Sequence, residues 1–167
     1  MKEEQYKFVT EYFSASKSRI NTIKALHDVL PIIMIVFYPL QLLYILAEKG
    51  VKNITFMKFF LVPLAVLVLV TLMRYIISAK RPYEVYDYTP VVKKNTKGKS
   101  FPSRHTASAF IIAMAFMYLD VSLGIVMMLI ACGVALTRVL SGVHFIRDVI
   151  GGALISIIVG VFCFFLI

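Results

Sequence analysis

The chain has 167 residues, 60% of them hydrophobic and only 16% charged, where soluble domains carry about a quarter charged residues. A mean hydropathy of +0.85 excludes water as its main solvent. The net charge of +9, from 18 Lys and Arg against 9 Asp and Glu, points to an acidic partner such as anionic lipid headgroups. It argues against nucleic acid, because no soluble basic module with interleaved aromatics carries it.

At about 20 residues per crossing, the length accommodates about five membrane-spanning helices in one bundle. From Tyr6 to Leu26, Phe8, Val9, Tyr12, Phe13, Ile20 and Ile23 recur among charged residues, with a break at Ser14-Ala15-Ser16. Residues 1–28 therefore read as an interfacial amphipathic segment, or a cap on the bundle, and residues 29–167 as the transmembrane domain. The first strongly apolar run starts behind a mixed-charge stretch, so no cleavable signal peptide is expected.

A first span follows from Leu30 to Ala47, with a kink expected at Pro39, and ends at Glu48-Lys49-Gly50. The second runs from Phe56 to Ala79 and carries Arg74 near its end, before Lys80-Arg81-Pro82 stops it. A long polar loop, Tyr83 to Phe101, holds Lys93, Lys94, Lys97 and Lys99, which either draw in anionic substrate or anchor the loop to headgroups. The third span starts at Arg104 or His105 and reaches Leu119. The fourth runs from Val121 to Val139, rich in small residues, and the fifth starts near His144. Cys132 and Cys163 both lie inside apolar runs and read as small hydrophobes rather than a disulfide.

Counting crossings puts Arg74, Lys80, Arg81, Arg104, His105, Arg138, His144, Arg147 and Asp148 at helix ends on one side of the bilayer. A charge within hydrocarbon costs on the order of 3 kcal/mol unless it snorkels, so each arginine alone has an inexpensive explanation. The gathering of imidazoles, a carboxylate and guanidinium groups at one end does not. His144 and Asp148, four residues apart, are expected on one face of the fifth helix, where the carboxylate orients one ring nitrogen and frees the other to attack. His105 is a second imidazole, suited to protonating a leaving oxygen. Ser103 reads as the N-cap of its helix, whose free amides suit phosphate. Arg81 and Arg138 offer planar donor forks to phosphate oxygens, and Arg74 reaches the same anion from its helix. The chain offers no oxygen-rich metal cage.

These residues resemble the three-part signature of the type-2 phosphatidate phosphatase superfamily, the membrane relatives of bacterial acid phosphatases and vanadium haloperoxidases. The family's lysine, six residues and Arg-Pro appear here as Arg74, six residues and Arg81-Pro82. Its Pro-Ser-Gly-His appears as Pro102-Ser103-Arg104-His105, with arginine where the family has glycine. Its Ser-Arg, five residues, His, three residues, Asp appears as Thr137-Arg138, His144 and Asp148.

The resemblance implies an all-α polytopic bundle that hydrolyses a lipid phosphate or diphosphate without a metal or other cofactor. Undecaprenyl diphosphate, phosphatidylglycerol phosphate and phosphatidic acid are the implied substrate types. His144 would form a phosphohistidine, Asp148 would orient it, and His105 would act as acid and then base. Arg74, Arg81, Ser103, Arg104 and Arg138 would bind the phosphoryl group. A phosphotransferase using the same intermediate and a non-enzymatic lipid-phosphate carrier are the alternatives. The resemblance implies a multi-pass cell-membrane protein with its site at the outer interface, whereas the bias of basic residues points that end inward.

Overall fold

The computed structural model describes residues 2–94 and 96–167, and every regular element among them is helical. Helix α1 covers Glu3–Ser14 and α2 covers Lys17–Lys49; the expected break falls at Ala15 and at Ser16, whose extended backbone starts α2. At 1.5 Å per residue α2 is about 50 Å long, well beyond a hydrocarbon core of about 30 Å. The excess lies in its N-terminal turns, with Lys17, Arg19, Lys24 and Asp28. The boundary expected between residues 28 and 29 thus falls inside a continuous helix, and only α1 is a separate short segment. Pro31 and Pro39 both lie within α2 without ending it.

Helix α3, Ile54–Ile77, starts where the Asn53 side chain accepts a hydrogen bond from the Thr55 amide at 2.9 Å, and stops at Ser78 in the left-handed region. A single turn, α4 (Pro82–Val85), leads into the long loop. Helices α5 (Arg104–Leu119) and α6 (Val121–Leu140) are separated only by Asp120, whose carboxylate caps α6 by accepting from the Leu123 amide at 2.8 Å. Helix α7 covers Ile146–Gly160 and continues as a wider, π-type turn from Val161 to Leu166.

Among the described residues four helices, α2, α3, α6 and α7 together with its π-type continuation to Leu166, are long and apolar enough to cross a membrane. The third expected span, α5, has 16 residues, yet almost all of Thr106–Phe116 is buried. An apolar helix enclosed on every side is a core element, and the other spans wrap around it. On one flank Tyr38 stacks on Phe59, donates to its carbonyl oxygen at 2.9 Å, and Phe59 meets Phe116 edge-on. On another, Ser156 of α7 donates to the Ala107 carbonyl oxygen at 2.7 Å. The outward faces of the spans carry Ile35, Leu43, Leu64, Leu129 and Ile158 exposed, as a lipid-facing surface requires. Cys132 and Cys163 are unpaired.

Candidate active site

The ends of α3 and α6, the starts of α5 and α7, and the long loop meet at one end of the bundle. Helix α6 ends at Ser141, and Gly142 reverses the chain with φ +76°, a conformation L side chains rarely adopt. A β-carbon there would also stand 3.0 Å from the Tyr88 ring and 3.1 Å from Thr10. His144 lies in this turn rather than on α7, two residues before the helix starts at Ile146. The expected pairing along one helix face is therefore corrected. The imidazole reaches Asp148 from a loop, with Nδ1 3.4 Å from Oδ2.

Both groups are sealed, with His144 1% and Asp148 0% exposed. The Asp148 Oδ2 accepts from the Ser100 hydroxyl at 2.5 Å and from the Phe145 amide at 3.0 Å, and Ser100 Oγ is also 3.4 Å from His144 Nδ1. Nδ1 thus faces two oxygens, which favours the tautomer protonated there and leaves Nε2 with its lone pair. The Asp148 Oδ1 atom is buried with no hydrogen-bond partner among the described residues, and the exposed Arg147 stands 3.8 Å away. Burial, followed by the charges of Arg81 and Arg74, holds the His144 pKa down at about 4 against the opposing pull of Asp148.

The expected phosphate ligands converge on this end, but they also hold the loops. Arg74 donates from Nη1 to the Pro102 carbonyl oxygen at 2.9 Å and, more loosely, to that of Ser100 at 3.4 Å. Buried Arg81 donates to the carbonyl oxygens of Gly98 and Val143, each at 3.2 Å, tying the long loop to the histidine turn. Arg138 is 3% exposed; its Nη2 donates to the His27 carbonyl oxygen at 3.1 Å and its Nη1 meets the His27 ring. Its Nε is buried without a partner among the described residues.

Ser103 occupies the N-cap position of α5 but caps nothing with its side chain, whose oxygen accepts from Thr106 Oγ1 at 3.0 Å. Its amide is taken by the Asp148 carbonyl oxygen at 2.8 Å, which withdraws that donor from any anion. The first-turn amides of α5 that follow have no intrahelical partner. His105 is half-buried on that first turn, where burial first, and then the charges of Arg138, Lys94 and Arg104 and the ring of His144, hold its pKa below the ordinary histidine value. Arg104 is exposed, and among the described residues it makes no hydrogen bond or ion pair.

Three contributors, His27, Ser100 and Tyr6, were not visible as candidates in the sequence, and Lys94 was visible only as one of the loop lysines that either draw in substrate or anchor to headgroups. His27, buried on α2, closes a loop with α6: its Nδ1 is 3.3 Å from Ser141 Oγ, which in turn lies 3.3 Å from the Arg138 carbonyl oxygen. All three histidines of the chain thus belong to one cluster. Ser100 bridges Asp148 and His144. Lys94, half-buried in the long loop, is depressed to about 8 by burial and then by the charges of Arg138, Arg81, Arg74 and Arg104, so it joins the cationic group. Tyr6, fully buried on α1, donates to the His144 carbonyl oxygen at 3.3 Å and packs against Tyr86, Tyr88 and Phe145. Burial lifts its hydroxyl to about 12, so it stays a donor. Among the described residues no three His, Cys, Asp or Glu side chains gather where a metal ion would sit.

The sequence profile of the PAP2 superfamily matches residues 55–167. No curated protein matches the chain at a significant level. Among solved structures, Aquifex aeolicus LpxE superposes with a TM-score of 0.74 at 23% identity, covering 96% of this chain and 92% of that one. The first transmembrane PAP2 type phosphatidylglycerolphosphate phosphatase from Bacillus subtilis superposes with a TM-score of 0.67 at 21% identity, covering 98% and 82%. At those identities the superpositions establish a shared fold. The profile spans all three motif segments and more than half of the sequence, and the chain belongs to the PAP2 superfamily.

Proposed function

We propose that this protein hydrolyses a phosphate ester or anhydride carried by a membrane lipid, through a phosphohistidine on His144. The observation that supports this most directly is the sealed His144, Asp148 and Ser100 group set among arginines at one end of an apolar bundle. With Nδ1 turned to Asp148, Nε2 of His144 forms a bond to phosphorus as the bond to the lipid oxygen breaks. That oxygen takes its electron pair and a proton from His105. Water then attacks the phosphohistidine, His105 accepts its proton, and the P–N bond electrons return to His144. Arg74, Arg81, Arg138 and the Ser103 hydroxyl stabilise the equatorial oxygens, where charge accumulates.

The substrate class is that of undecaprenyl diphosphate, phosphatidylglycerol phosphate and phosphatidic acid, whose tails an apolar bundle accommodates. The defining experiment measures phosphate release from a panel of these lipids in detergent micelles. Wild type releases phosphate and His144→Ala does not; equal rates from both would overturn the assignment, and transfer of phosphate to an added alcohol would replace hydrolysis with phosphotransfer. On the family resemblance the site faces outward. Intact cells producing the protein should then hydrolyse a short-chain lipid phosphate supplied outside, and activity confined to broken cells would reverse that orientation.

A further inference from the structure

Arg104 stands where the superfamily motif has glycine, and it is placed differently from the other arginines. Arg74, Arg81 and Arg138 spend donors on carbonyl oxygens of the loops and of α2, while Arg104 has no partner among the described residues. It lines a 140 Å³ cleft with Pro31, Met34 and Ile35 of α2 and with His105, Ala109 and Ile112 of α5. The cleft shares Ile35 and Ile112 with a 280 Å³ apolar groove between α2, α3 and α5. Arg104 therefore stands where the charged end of the bundle meets a path for hydrocarbon.

The chemistry of the reaction gives that place a meaning. In lipid phosphate hydrolysis the lipid itself is the leaving group, so its first atoms lie beside the acid that protonates the departing oxygen. His105 is that acid in the proposed mechanism, and Arg104 precedes it in the same helical turn. With a phosphomonoester, the group departing past Arg104 is a neutral alcohol. With a diphosphate it is a second phosphate, whose oxygens suit a free donor fork.

We propose that Arg104 forms a leaving-side anion subsite, which selects lipids bearing a second phosphate directly attached to the scissile one. The proposal rests on the phosphatase reading above. His144 Nε2 bonds to the terminal phosphorus and the bridging P–O bond breaks. The bridging oxygen takes the electron pair and the His105 proton, and the lipid monophosphate leaves held by Arg104. Water then releases inorganic phosphate from His144. A lipid with its second phosphate farther along the headgroup gains less, because the bridging position no longer carries the charge.

The test compares farnesyl diphosphate with farnesyl monophosphate, which share one tail, using the full-length protein in micelles. The readout is the ratio of kcat/KM for the two substrates, within each of wild type, Arg104→Gly and Arg104→Lys. Taking the ratio on a single preparation cancels any misfolded fraction. Wild type should favour the diphosphate, Arg104→Gly should lose about tenfold of that preference, and Arg104→Lys should keep most of it. An unchanged ratio in Arg104→Gly would overturn the subsite and leave Arg104 as a headgroup anchor, with the phosphatase reading intact. Wild type releasing phosphate from neither substrate, nor from any lipid of the panel above, would instead remove the reading on which the subsite rests.

Discussion

His27 on α2 and Arg138 on α6 form a buried pair in which the arginine engages both the ring and the carbonyl oxygen of the histidine. The Nη1 donor needs an imidazole nitrogen with a free lone pair, so His27 is neutral with its proton on Nδ1, directed to Ser141 Oγ. Two edges of the guanidinium are thereby oriented, and the buried Nε has no partner among the described residues. In the proposed mechanism His27 is a positioning residue that acts through Arg138.

Replacing His27 by Ala should raise KM and lower kcat/KM by about ten- to a hundredfold, the effect of leaving a buried charged donor without its acceptor. His27→Gln restores an acceptor of similar reach and should recover most of the loss. Steady-state kinetics on both variants checks this; if Gln were as damaging as Ala, the hydrogen bond would not be what His27 supplies.

Removing the orienting acceptor should leave the fold while stopping the chemistry. Asp148→Asn should lower kcat on the order of a thousandfold or more, because the amide favours the wrong imidazole tautomer. Ser100→Ala should cost about tenfold, since Asp148 keeps the Phe145 amide and the His144 ring. Wild-type turnover by Asp148→Asn, with thermal unfolding unchanged, would remove Asp148 from this role.

Beside His105, whose protonated form the leaving-group step requires, two groups outside the spans shape the pH profile. His144 is depressed to about 4, so it is neutral above that value, as the proposed nucleophile must be, and activity should be lost as pH falls through it. Lys94 is depressed to about 8, so its charge helps hold the anion below that pH and is lost above it. The kcat/KM profile should therefore show an acid limb well below the ordinary histidine value of about 6.5, and a decline above about 8. In Lys94→Gln the decline near 8 should disappear; its persistence there would assign that limb to another group.

Gly152 is where α7 crosses the first turn of α5. A β-carbon at this position would stand 2.7 Å from the Ser103 carbonyl oxygen and 3.2 Å from the Ala107 amide, both of them backbone atoms. Gly152→Ala should destabilise the protein by about 1–3 kcal/mol and displace Ser103 to His105, lowering activity more than stability. Thermal unfolding in detergent beside phosphate release checks both parts, and a wild-type unfolding temperature would mean the crossing can yield.

Much of the molecule is legible in one dimension. Apolar runs near the length of a bilayer crossing, punctuated by Glu48-Lys49-Gly50, Pro82, Asp120 and Ser141-Gly142, mark the helices because hydropathy and backbone breaking are local properties. The three motifs fall at helix ends on one side for the same reason. Other features required three dimensions. The start of α2 at Lys17 reads as an interfacial segment because its charged residues hide a continuous helix. Helix α5 reads as an ordinary span because its sequence does not say that its neighbours enclose it.

The site divides along the same line. His105, Arg138, His144 and Asp148 stand out through residue type and spacing, but that spacing placed His144 on a helix when Gly142 turns it into a loop. His27 meets Arg138 across 111 positions, Ser100 meets Asp148 across 48, and Tyr6 meets His144 across 138. No periodicity encodes a pairing at such separations, because it arises only when packed helices bring distant segments within hydrogen-bond reach. Composition and local pattern thus specify a membrane bundle with imidazoles and guanidinium groups gathered at one end, and the packing of α1, α2 and the long loop onto that end chooses the partners of each.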